Sequence, residues 1–427
     1  MDKKVFRKKD DQIPQLVYFL MKVLLFGDAP MALNEGGINQ TLYNLFCFIK
    51  PENFLGITEV DIKSLRKIGS TEPYTNRYRS YKINQIYLPL NRFTQFLLPI
   101  INRVNFYIFQ HSKYQKLKKE IASFAPDVII SCSNTSSGIL MHHKLLDNNT
   151  ISAPVIPYFM DDWMYKNKPI YIGKLVHDII SSMLQKNTNW MMIGEELKNI
   201  LAERYQAKPE NVLYIRNPVD LSDAPEDSIY HKNNPFTIAY AGALWPMHFD
   251  SFYTFAKAVK LLSAKQNIQL LLYTQESQWN WRKAELEPLG VVYGGHLPYH
   301  QVHKKLNQAD ALLITASFSK ENYTHSKASL QTKITDYCKS KRLIISCGPS
   351  YTANNIFIKD NNCGICIETN KEEGIVTQLT EVIANMEEYQ SCVSNAWNTL
   401  HNFSKETVHQ KIKDFLNLSI QSNYSKT

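Results

Sequence analysis

Apolar and polar positions alternate along this chain in a rhythm that predicts a repeated strand–helix unit. Short apolar runs such as MKVLLF (21–26), IQLLLYT (268–274) and ALLITAS (311–317) are bounded by glycine, proline or polar residues, which is typical of buried strands. In other segments, such as GEELKNILAERYQ (194–206), apolar residues recur at helical spacing and predict an amphipathic helix. Because strands joined by helices form parallel sheets with helices on both faces, we predict an α/β protein.

The pattern falls into two halves, separated by a polar segment with three prolines at 218–235. A chain of 427 residues exceeds the size of one ordinary domain, so we predict a first domain over 21–217 and a second over 218–402. A helical pattern at roughly 405–418 closes the chain. The first twenty residues are charged, and their apolar tail is too short for a signal peptide. No apolar run has the length of a membrane-spanning helix.

Composition narrows the class of protein further. Apolar residues make up 44% of the chain, enough for two cores, and the net charge of +9 suits an anionic ligand or surface without naming one. The seven scattered cysteines favour reduced thiols in a cytoplasmic protein. Cys363 and Cys366 have CxxC spacing, but they lie in an apolar strand pattern, and no second pair or histidine set completes a metal site. We therefore predict no metal centre.

A basic stretch at 62–119 distinguishes the first half of the chain. It contains twelve Lys or Arg residues and a single acidic one, Glu72, with aromatic and aliphatic side chains between them. This mixture favours a surface that lies on an anionic membrane, with lysines at the headgroups and apolar side chains below. Binding of single-stranded nucleic acid is a weaker interpretation, and we predict no nucleic-acid partner. An ordinary basic helix-and-loop region is the alternative to both.

Two places in the first half carry candidate chemistry after a strand. Gly36 and Gly37 lie in the loop at 34–37, where they would let the backbone approach a ligand closely; a flexible loop that enters a helix is the alternative. Asp161 and Asp162 follow another buried strand, at the position where open parallel sheets bind ligands. Neighbouring carboxylates can supply a base or bind sugar hydroxyls, and the alternative is that they cap a turn or helix.

The most informative stretch is SLQTKITDY (329–337), which lies between two apolar strand patterns. Ser329 and Thr332 are expected at the start of a helix, where unpaired N–H groups and the helix dipole favour an anion. Lys333 would hold phosphate, and Asp336 would accept hydrogen bonds from ribose hydroxyls, so the stretch suits a nucleoside diphosphate. An ordinary helix with a Lys–Asp pair on its solvated face is the alternative.

In order and spacing, these passages resemble the GT-B glycosyltransferases, most closely the GT4-like group of bacterial surface-polysaccharide synthesis. The resemblance spans about 21–420, and its most specific passages are MKVLLFGD…GGINQTLYNL, GEELKNILAERYQAKPENVLYIRNPVD, FTIAYAGAL, VVYGGHLPYHQVHKKLNQADALLITAS and SLQTKITDYCKSKRLIISCGP. It implies two Rossmann-like domains that face a cleft, with the final helix (403–420) crossing back to the first domain. The first domain would bind the acceptor and the second the nucleotide sugar.

The resemblance also implies an activity and a set of site residues. The activity is that of a metal-independent hexosyl-type glycosyltransferase that needs no cofactor and uses a nucleotide-sugar donor with a saccharide or lipid-linked saccharide acceptor. Asp161 or Asp162 matches the acidic position at the cleft, as a base. The donor-side residues are Gly36, Gly37, Gly242, Leu297, Ser329, Thr332, Lys333 and Asp336. We expect a cytoplasmic location, peripheral on the inner face of the cell membrane if the basic stretch binds lipid.

Two departures from the family pattern leave other functions open. The family has a glutamate eight residues before the position of Asp336, and this chain has Ala328 there. The usual arginine and lysine after the second domain's first strand are also absent, since that passage is GALWPMHFDSF. A nucleotide-sugar epimerase on the same fold, or a non-catalytic relative that binds a partner enzyme, are therefore the alternatives.

Overall fold

Two parallel β-sheets, each packed against helices, form the framework of the chain. The computed structural model describes residues 21–33, 37–61, 64, 71–82, 86, 94–109, 111–146, 151–166, 169–222, 224–225 and 232–425. The predicted site residue Gly36 and parts of the basic stretch lie outside the described residues. No helix of the described ranges is long and apolar enough to cross a membrane.

Seven strands form the first sheet, in the order β3-β2-β1-β4-β5-β6-β7, and all neighbouring pairs are parallel. Side chains of β1 alternate between two apolar cores: Leu24 and Phe26 on one face, Val23 and Leu25 on the other. A strand that is covered on both faces has to be apolar throughout, which explains the unbroken run in the sequence. The strands are β1 (Val23–Gly27), β2 (Phe54–Thr58), β3 (Tyr78–Ser80), β4 (Val128–Cys132), β5 (Val155–Phe159), β6 (Asn189–Met192) and β7 (Asn211–Tyr214).

The helices of this domain connect its strands, as the predicted strand–helix alternation requires. Their bounds are α1 (Gly37–Phe46), α2 (Leu98–Val104), α3 (His111–Phe124), α4 (Ser136–Leu146), α5 (Trp163–Lys166), α6 (Pro169–Lys186) and α7 (Glu195–Arg204). Helix α1 contributes Leu42 and Leu45 to one core, and α3 contributes Leu117 and Ile121 to the other. The first sheet therefore carries packed helices on both faces.

Six parallel strands form the second sheet, in the order β10-β9-β8-β11-β12-β13. Its strands are β8 (Phe236–Ala241), β9 (Ile268–Tyr273), β10 (Val292–Gly295), β11 (Ala311–Thr315), β12 (Leu343–Cys347) and β13 (Ile365–Ile367). The helices are α8 (Pro246–Ser263), α9 (Glu276–Leu286), α10 (Tyr299–Leu306), α11 (Tyr323–Ala328), α12 (Lys333–Lys339), α13 (Ala353–Asp360), α14 (Glu372–Ala384), α15 (Gln390–Thr399) and α16 (Lys405–Tyr424). The prediction of two α/β domains is confirmed.

The chain passes between the domains at two points that lie side by side. Val219, on the way out of the first domain, pairs in parallel with Ser404, on the way back. The returning helix α16 then adds Val408, Ile412 and other apolar residues to a first-domain core. The predicted return of the last helix is therefore confirmed, whereas the boundary at 217/218 stays a prediction.

The sequence analysis placed the start of helix α12 wrongly. Helix α12 begins at Lys333, so Ser329 does not start it; Ser329 instead ends the preceding helix, α11, in an extended conformation. Thr332 is the residue just before α12, and its side chain makes no capping hydrogen bond. Helix α12 itself has only seven residues, of which Lys333 is the first.

Candidate functional site

The carboxyl ends of the second-sheet strands are tied to one another by backbone hydrogen bonds. The N–H of Gly242, just after β8, donates to the carbonyl of Tyr273 at 2.9 Å, and the N–H of Thr274 donates to the carbonyl of Gly295 at 3.1 Å. In the part of the chain that the structure describes, the buried hydroxyl oxygen of Thr274 has no hydrogen-bond partner. The predicted residue Leu297 lies half-buried two positions beyond β10. This edge of the sheet is where open α/β folds bind ligands.

Lys333 places a buried amine at this edge. Its Nζ is shielded from solvent, makes no hydrogen bond to any described residue, and lies 3.7 Å from the centre of the Tyr240 ring. Burial lowers the pKa of Lys333 from 10.5 to about 7. A cation–π contact offsets only part of the cost of burying an ammonium group, so an anion beside Nζ would stabilise its charged form.

Gly242 leaves room for this ammonium group. Its φ is +136°, a backbone conformation that favours glycine, and a Cβ at this position would lie 3.0 Å from Lys333 Nζ. Any other residue would therefore be strained and would crowd the lysine. Gly242 and Lys333, which the sequence analysis placed on the donor side separately, are brought into contact by the fold.

The segment before Lys333 carries further unsatisfied polar atoms. The hydroxyl oxygen of Ser329 and Oε1 of Gln331 are buried without hydrogen-bond partners among the described residues, while Nε2 of Gln331 donates to the carbonyl of Thr315 at 2.6 Å. The Thr332 side chain is exposed. Buried polar atoms cost free energy unless a partner is present, so this cluster fits a polar ligand beside Lys333.

Asp336 lies one turn after Lys333 and accepts a hydrogen bond from the Tyr299 hydroxyl at 3.0 Å. That hydroxyl in turn lies 3.4 Å from Nδ2 of Asn44, which belongs to α1 of the first domain. Burial, together with the charge of Asp336, raises the pKa of Tyr299, so its hydroxyl stays protonated. The candidate ribose-binding carboxylate is thus connected to the other domain through Tyr299, a link that the sequence analysis missed.

Gly37 is the first residue of α1, at the end of the glycine loop. Its φ is +55°, in the left-handed region, and apart from its chain neighbours and the backbone of its own helix no atom of the described residues lies within 4 Å of the position that a Cβ would take. Glycine is therefore required here by backbone conformation and not by packing. Its neighbour Gly36 lies outside the described residues.

Ala328 is part of a contact between the two domains. It is 2% exposed and belongs to the same apolar cluster as Met164 and Leu197 of the first domain. One residue earlier, Lys327 forms an ion pair with Glu196 of α7, with 3.0 Å between Nζ and Oε2. The position at which the GT4-like group has a glutamate is therefore used here for interdomain packing.

The two candidate bases of the first domain differ in their surroundings. Asp162 is fully buried, and both its carboxylate oxygens accept hydrogen bonds from the Arg204 guanidinium at 2.7 Å. Because Arg204 engages both oxygens, neither is left free to contact an acceptor hydroxyl. Asp161 is half-buried at the end of β5, so it is the better of the two candidates. Their catalytic assignment stays a prediction.

Asp28 and Glu59 form an acidic pair that the sequence analysis missed. Asp28 follows β1 and accepts a hydrogen bond from the Tyr81 hydroxyl at 2.7 Å. Glu59 follows β2, and the Thr135 hydroxyl lies between the two carboxylates, 3.0 Å from Asp28 Oδ1 and 3.1 Å from Glu59 Oε2, with one proton to share between them. Burial raises the pKa of Asp28 from 3.8 to about 6, with a smaller contribution from the charge of Glu59. In the sequence, the signal for Asp28 was its position in GDAP (27–30), directly after the apolar run of the first strand.

No metal-binding arrangement is present within the described ranges. No group of three or more His, Cys, Asp or Glu residues that could hold a metal ion occurs there. The seven cysteines are free thiols, and five of them are buried. The CxxC spacing of Cys363 and Cys366 reflects their positions in and next to β13.

Comparison with known proteins identifies the fold. No family model matches the sequence, and no curated protein matches it. Solved structures do match in fold. The Anabaena protein Alr3699/HepE, crystallised with UDP, has a TM-score of 0.65 at 12% identity over 93% of this chain and 100% of its own. A glycosyltransferase from Rickettsia africae ESF-5 has a TM-score of 0.62 at 13% identity over 94% and 99% of the two chains.

WaaG, a glycosyltransferase involved in lipopolysaccharide biosynthesis, has a TM-score of 0.58 at 10% identity over 92% of this chain and 99% of its own. These matches span both domains, so the GT-B fold predicted from the sequence is confirmed. At such low identity the likeness shows the fold alone, and function has to be argued from the site.

Proposed function

We propose that this chain is a glycosyltransferase that moves a sugar from a nucleotide-sugar donor to a saccharide or lipid-linked saccharide in surface-polysaccharide synthesis. The observation that carries the proposal is the buried, unpartnered ammonium of Lys333 beside Gly242. Support comes from HepE, which has been crystallised with UDP and with UDP and glucose, and from the lipopolysaccharide role of WaaG.

In the proposed reaction the bond between the anomeric carbon and the diphosphate breaks, and the diphosphate leaves with the electron pair. Lys333 stabilises the negative charge that develops there, so the protein supplies a fixed positive charge where a metal ion would otherwise serve. The acceptor hydroxyl oxygen bonds to the anomeric carbon, and its proton passes to Asp161. Asp336 holds the donor ribose, and the first domain holds the acceptor.

A donor screen tests the proposal. Thermal unfolding would be followed with UDP-, GDP-, ADP-, CDP- and TDP-sugars, because a ligand that binds only the folded state raises the unfolding temperature. We expect one nucleotide class to stabilise the protein, and the same sugar nucleotide to transfer its sugar when a bacterial glycolipid extract is added. Release of an epimerised nucleotide sugar without acceptor would instead establish the epimerase, and binding without any turnover would establish a non-catalytic relative.

We also propose that the first domain rests on an anionic membrane surface. Large apolar side chains are exposed over 94–109: Phe96 is 65% exposed and Ile108 66%. Basic side chains lie in the same part of the chain, at Arg103 and at Lys113 and Lys116 of α3. Apolar side chains that enter the acyl boundary while lysines contact headgroups are the expected pairing for such a surface.

Sedimentation with vesicles tests this membrane proposal. Phosphatidylglycerol vesicles should retain the protein at low salt, phosphatidylcholine vesicles should not, and Phe96→Ser with Ile108→Ser should reduce retention about tenfold or more. Leu261→Ser is the matched control, because Leu261 is 51% exposed on α8 of the second domain. Equal loss in the control, or no binding to anionic vesicles, would exclude the surface at 94–109.

A further inference from the structure

Asn44 contacts four separate parts of the chain. Its Nδ2 donates to Oδ1 of Asn217 at 3.0 Å and lies 3.4 Å from the Tyr299 hydroxyl, while its Oδ1 accepts from Nε2 of Gln40 at 2.9 Å. Its backbone carbonyl accepts from Nε2 of His409 at 2.7 Å. Asn44 therefore connects its own helix, the domain crossing and the second domain through its buried side chain, and the returning helix through its backbone carbonyl.

The direction of these hydrogen bonds leads to Asp336. A tyrosine hydroxyl has a single proton to donate. Because Asn44 donates to the Tyr299 oxygen, the hydroxyl proton is available to Asp336 Oδ1, at 3.0 Å. Asn44 is itself fixed through Asn217 and Gln40, so the orientation of Tyr299 depends on both domains.

We propose that Tyr299 is a positioning residue: it holds the Asp336 carboxylate in the orientation that receives the donor ribose hydroxyls, and Asn44 makes that orientation depend on the first domain. The inference rests on the proposed donor role of Asp336. A carboxylate near the start of a short helix has rotamer freedom that is lost on binding, and a fixed hydrogen bond removes part of this loss in advance. A site organised to hydrogen-bond ribose hydroxyls rejects nucleotides that lack them.

Tyr299→Phe is the direct test, because it removes the hydroxyl and keeps the ring. Calorimetry would first identify which of UDP, GDP, ADP and CDP binds the wild type most tightly, and would then compare it with its 2′,3′-dideoxy analogue. We expect the variant to bind the ribonucleotide about tenfold more weakly, the size of one hydrogen bond to a charged group, and the dideoxy analogue as tightly as the wild type does.

A matched control and a double mutant separate positioning from a general structural effect. Tyr74→Phe removes another buried tyrosine hydroxyl, which donates to the Ile49 carbonyl at 2.7 Å, and should leave nucleotide affinity unchanged. In an Asp336→Asn background, Tyr299→Phe should have little further effect, because both act on one contact. Equal ribonucleotide affinity in the wild type and Tyr299→Phe would overturn the proposal. So would a double mutant whose loss of affinity equals the product of the two single losses, because the two residues would then act independently.

The protein without ligand gives an independent measurement. Tyr299→Phe should speed hydrogen exchange in α1 and α12, because it cuts the link between them. If no nucleotide binds the wild type, the donor proposal fails, and hydrogen exchange alone tests the contact between α1 and α12 through Tyr299. Faster exchange in α1 would support that contact, and unchanged exchange would overturn it.

Discussion

Lys333 is a buried lysine whose charge state changes in an accessible pH range. Its pKa of about 7 in the folded protein lies below the ordinary 10.5 because of burial. Between these values the unfolded chain binds a proton that the folded one does not, so stability rises with pH across this window. Below pH 7 the full cost of the buried charge is present. A bound diphosphate would offset that cost by pairing with the ammonium.

Nucleotide binding should therefore carry a proton with it. At about pH 8 the free protein has Lys333 largely neutral, and the bound diphosphate favours the charged form, so uptake of up to about one proton per nucleotide is expected. Calorimetry in two buffers of different ionisation enthalpy measures it. Lys333→Met should abolish the uptake and weaken binding about a hundredfold. Lys341→Met, just beyond the same helix, is the control and should change neither the proton uptake nor the nucleotide affinity. Proton uptake that persists in Lys333→Met would mean that the phosphates bind elsewhere.

Asp28 should produce the opposite pH dependence. Its pKa is raised from 3.8 to about 6, so between these values the folded state binds more protons than the unfolded one, and stability falls as pH rises through that window. Asp28→Asn should flatten this fall. Urea unfolding at about pH 4 and about pH 7 measures it. Asp127→Asn, at the start of β4, is the control and should follow the wild type; an unchanged slope in Asp28→Asn would assign the fall to other groups.

At the scale of secondary structure, the sequence predicted best the strands that are apolar throughout. Strand β1 and the run at β11 are buried on both faces, and continuous apolar letters are sufficient to find them. Strand β3, at the edge of the first sheet, has three residues and includes Arg79, so no apolar run marks it. Helix α11 has no apolar periodicity in its sequence either. Contacts with the first domain stabilise it instead, and the sequence pattern does not show them.

The start of α12 was misplaced for a related reason. Tertiary contacts hold Gln331 outside the helix: its N–H donates to Oδ1 of Asn354 at 3.1 Å, and its side chain donates to the Thr315 carbonyl at 2.6 Å. These partners lie 23 and 16 residues away in sequence. Local propensity in SLQTKITDY carries no information about them, so only the helix and its apolar face were predictable.

The contact between α11 and α7 leads to a prediction about the departure from the GT4-like pattern. Ala328→Glu restores the glutamate of the family but buries a carboxylate in an apolar cluster. We expect a loss of about 2–4 kcal/mol in the free energy of unfolding and no gain in donor affinity. Denaturant unfolding and nucleotide calorimetry measure the two. Thr324→Glu, on the same helix, is the control; tighter donor binding in Ala328→Glu without loss of stability would contradict the packing role.

At the scale of the whole molecule, the sequence was sufficient to predict two sheets and the return of the last helix to the first domain. Alternating strand and helix patterns set the class of each domain, and family-like order set their relation. The side-chain contacts that join the domains were not predictable, because residues such as Asn44 and Tyr299 have partners that are distant in sequence. The connection between candidate site and domain arrangement therefore required the structure.

The returning helix α16 allows a test of how the two domains share stability. Leu416 is fully buried in a first-domain core, whereas Leu418, on the same helix, is 44% exposed. Leu416→Ala should reduce the free energy of unfolding by about 2–5 kcal/mol through lost burial and a cavity, and Leu418→Ala by about 0.5 kcal/mol or less. Denaturant unfolding measures both losses, and hydrogen exchange in Leu416→Ala should quicken in β1 and β4 and not in β8 and β11. Quicker exchange confined to the second sheet would mean that α16 stabilises the second domain instead. Equal losses in both variants would mean that the packing of Leu416 on the first domain contributes nothing to the free energy of unfolding.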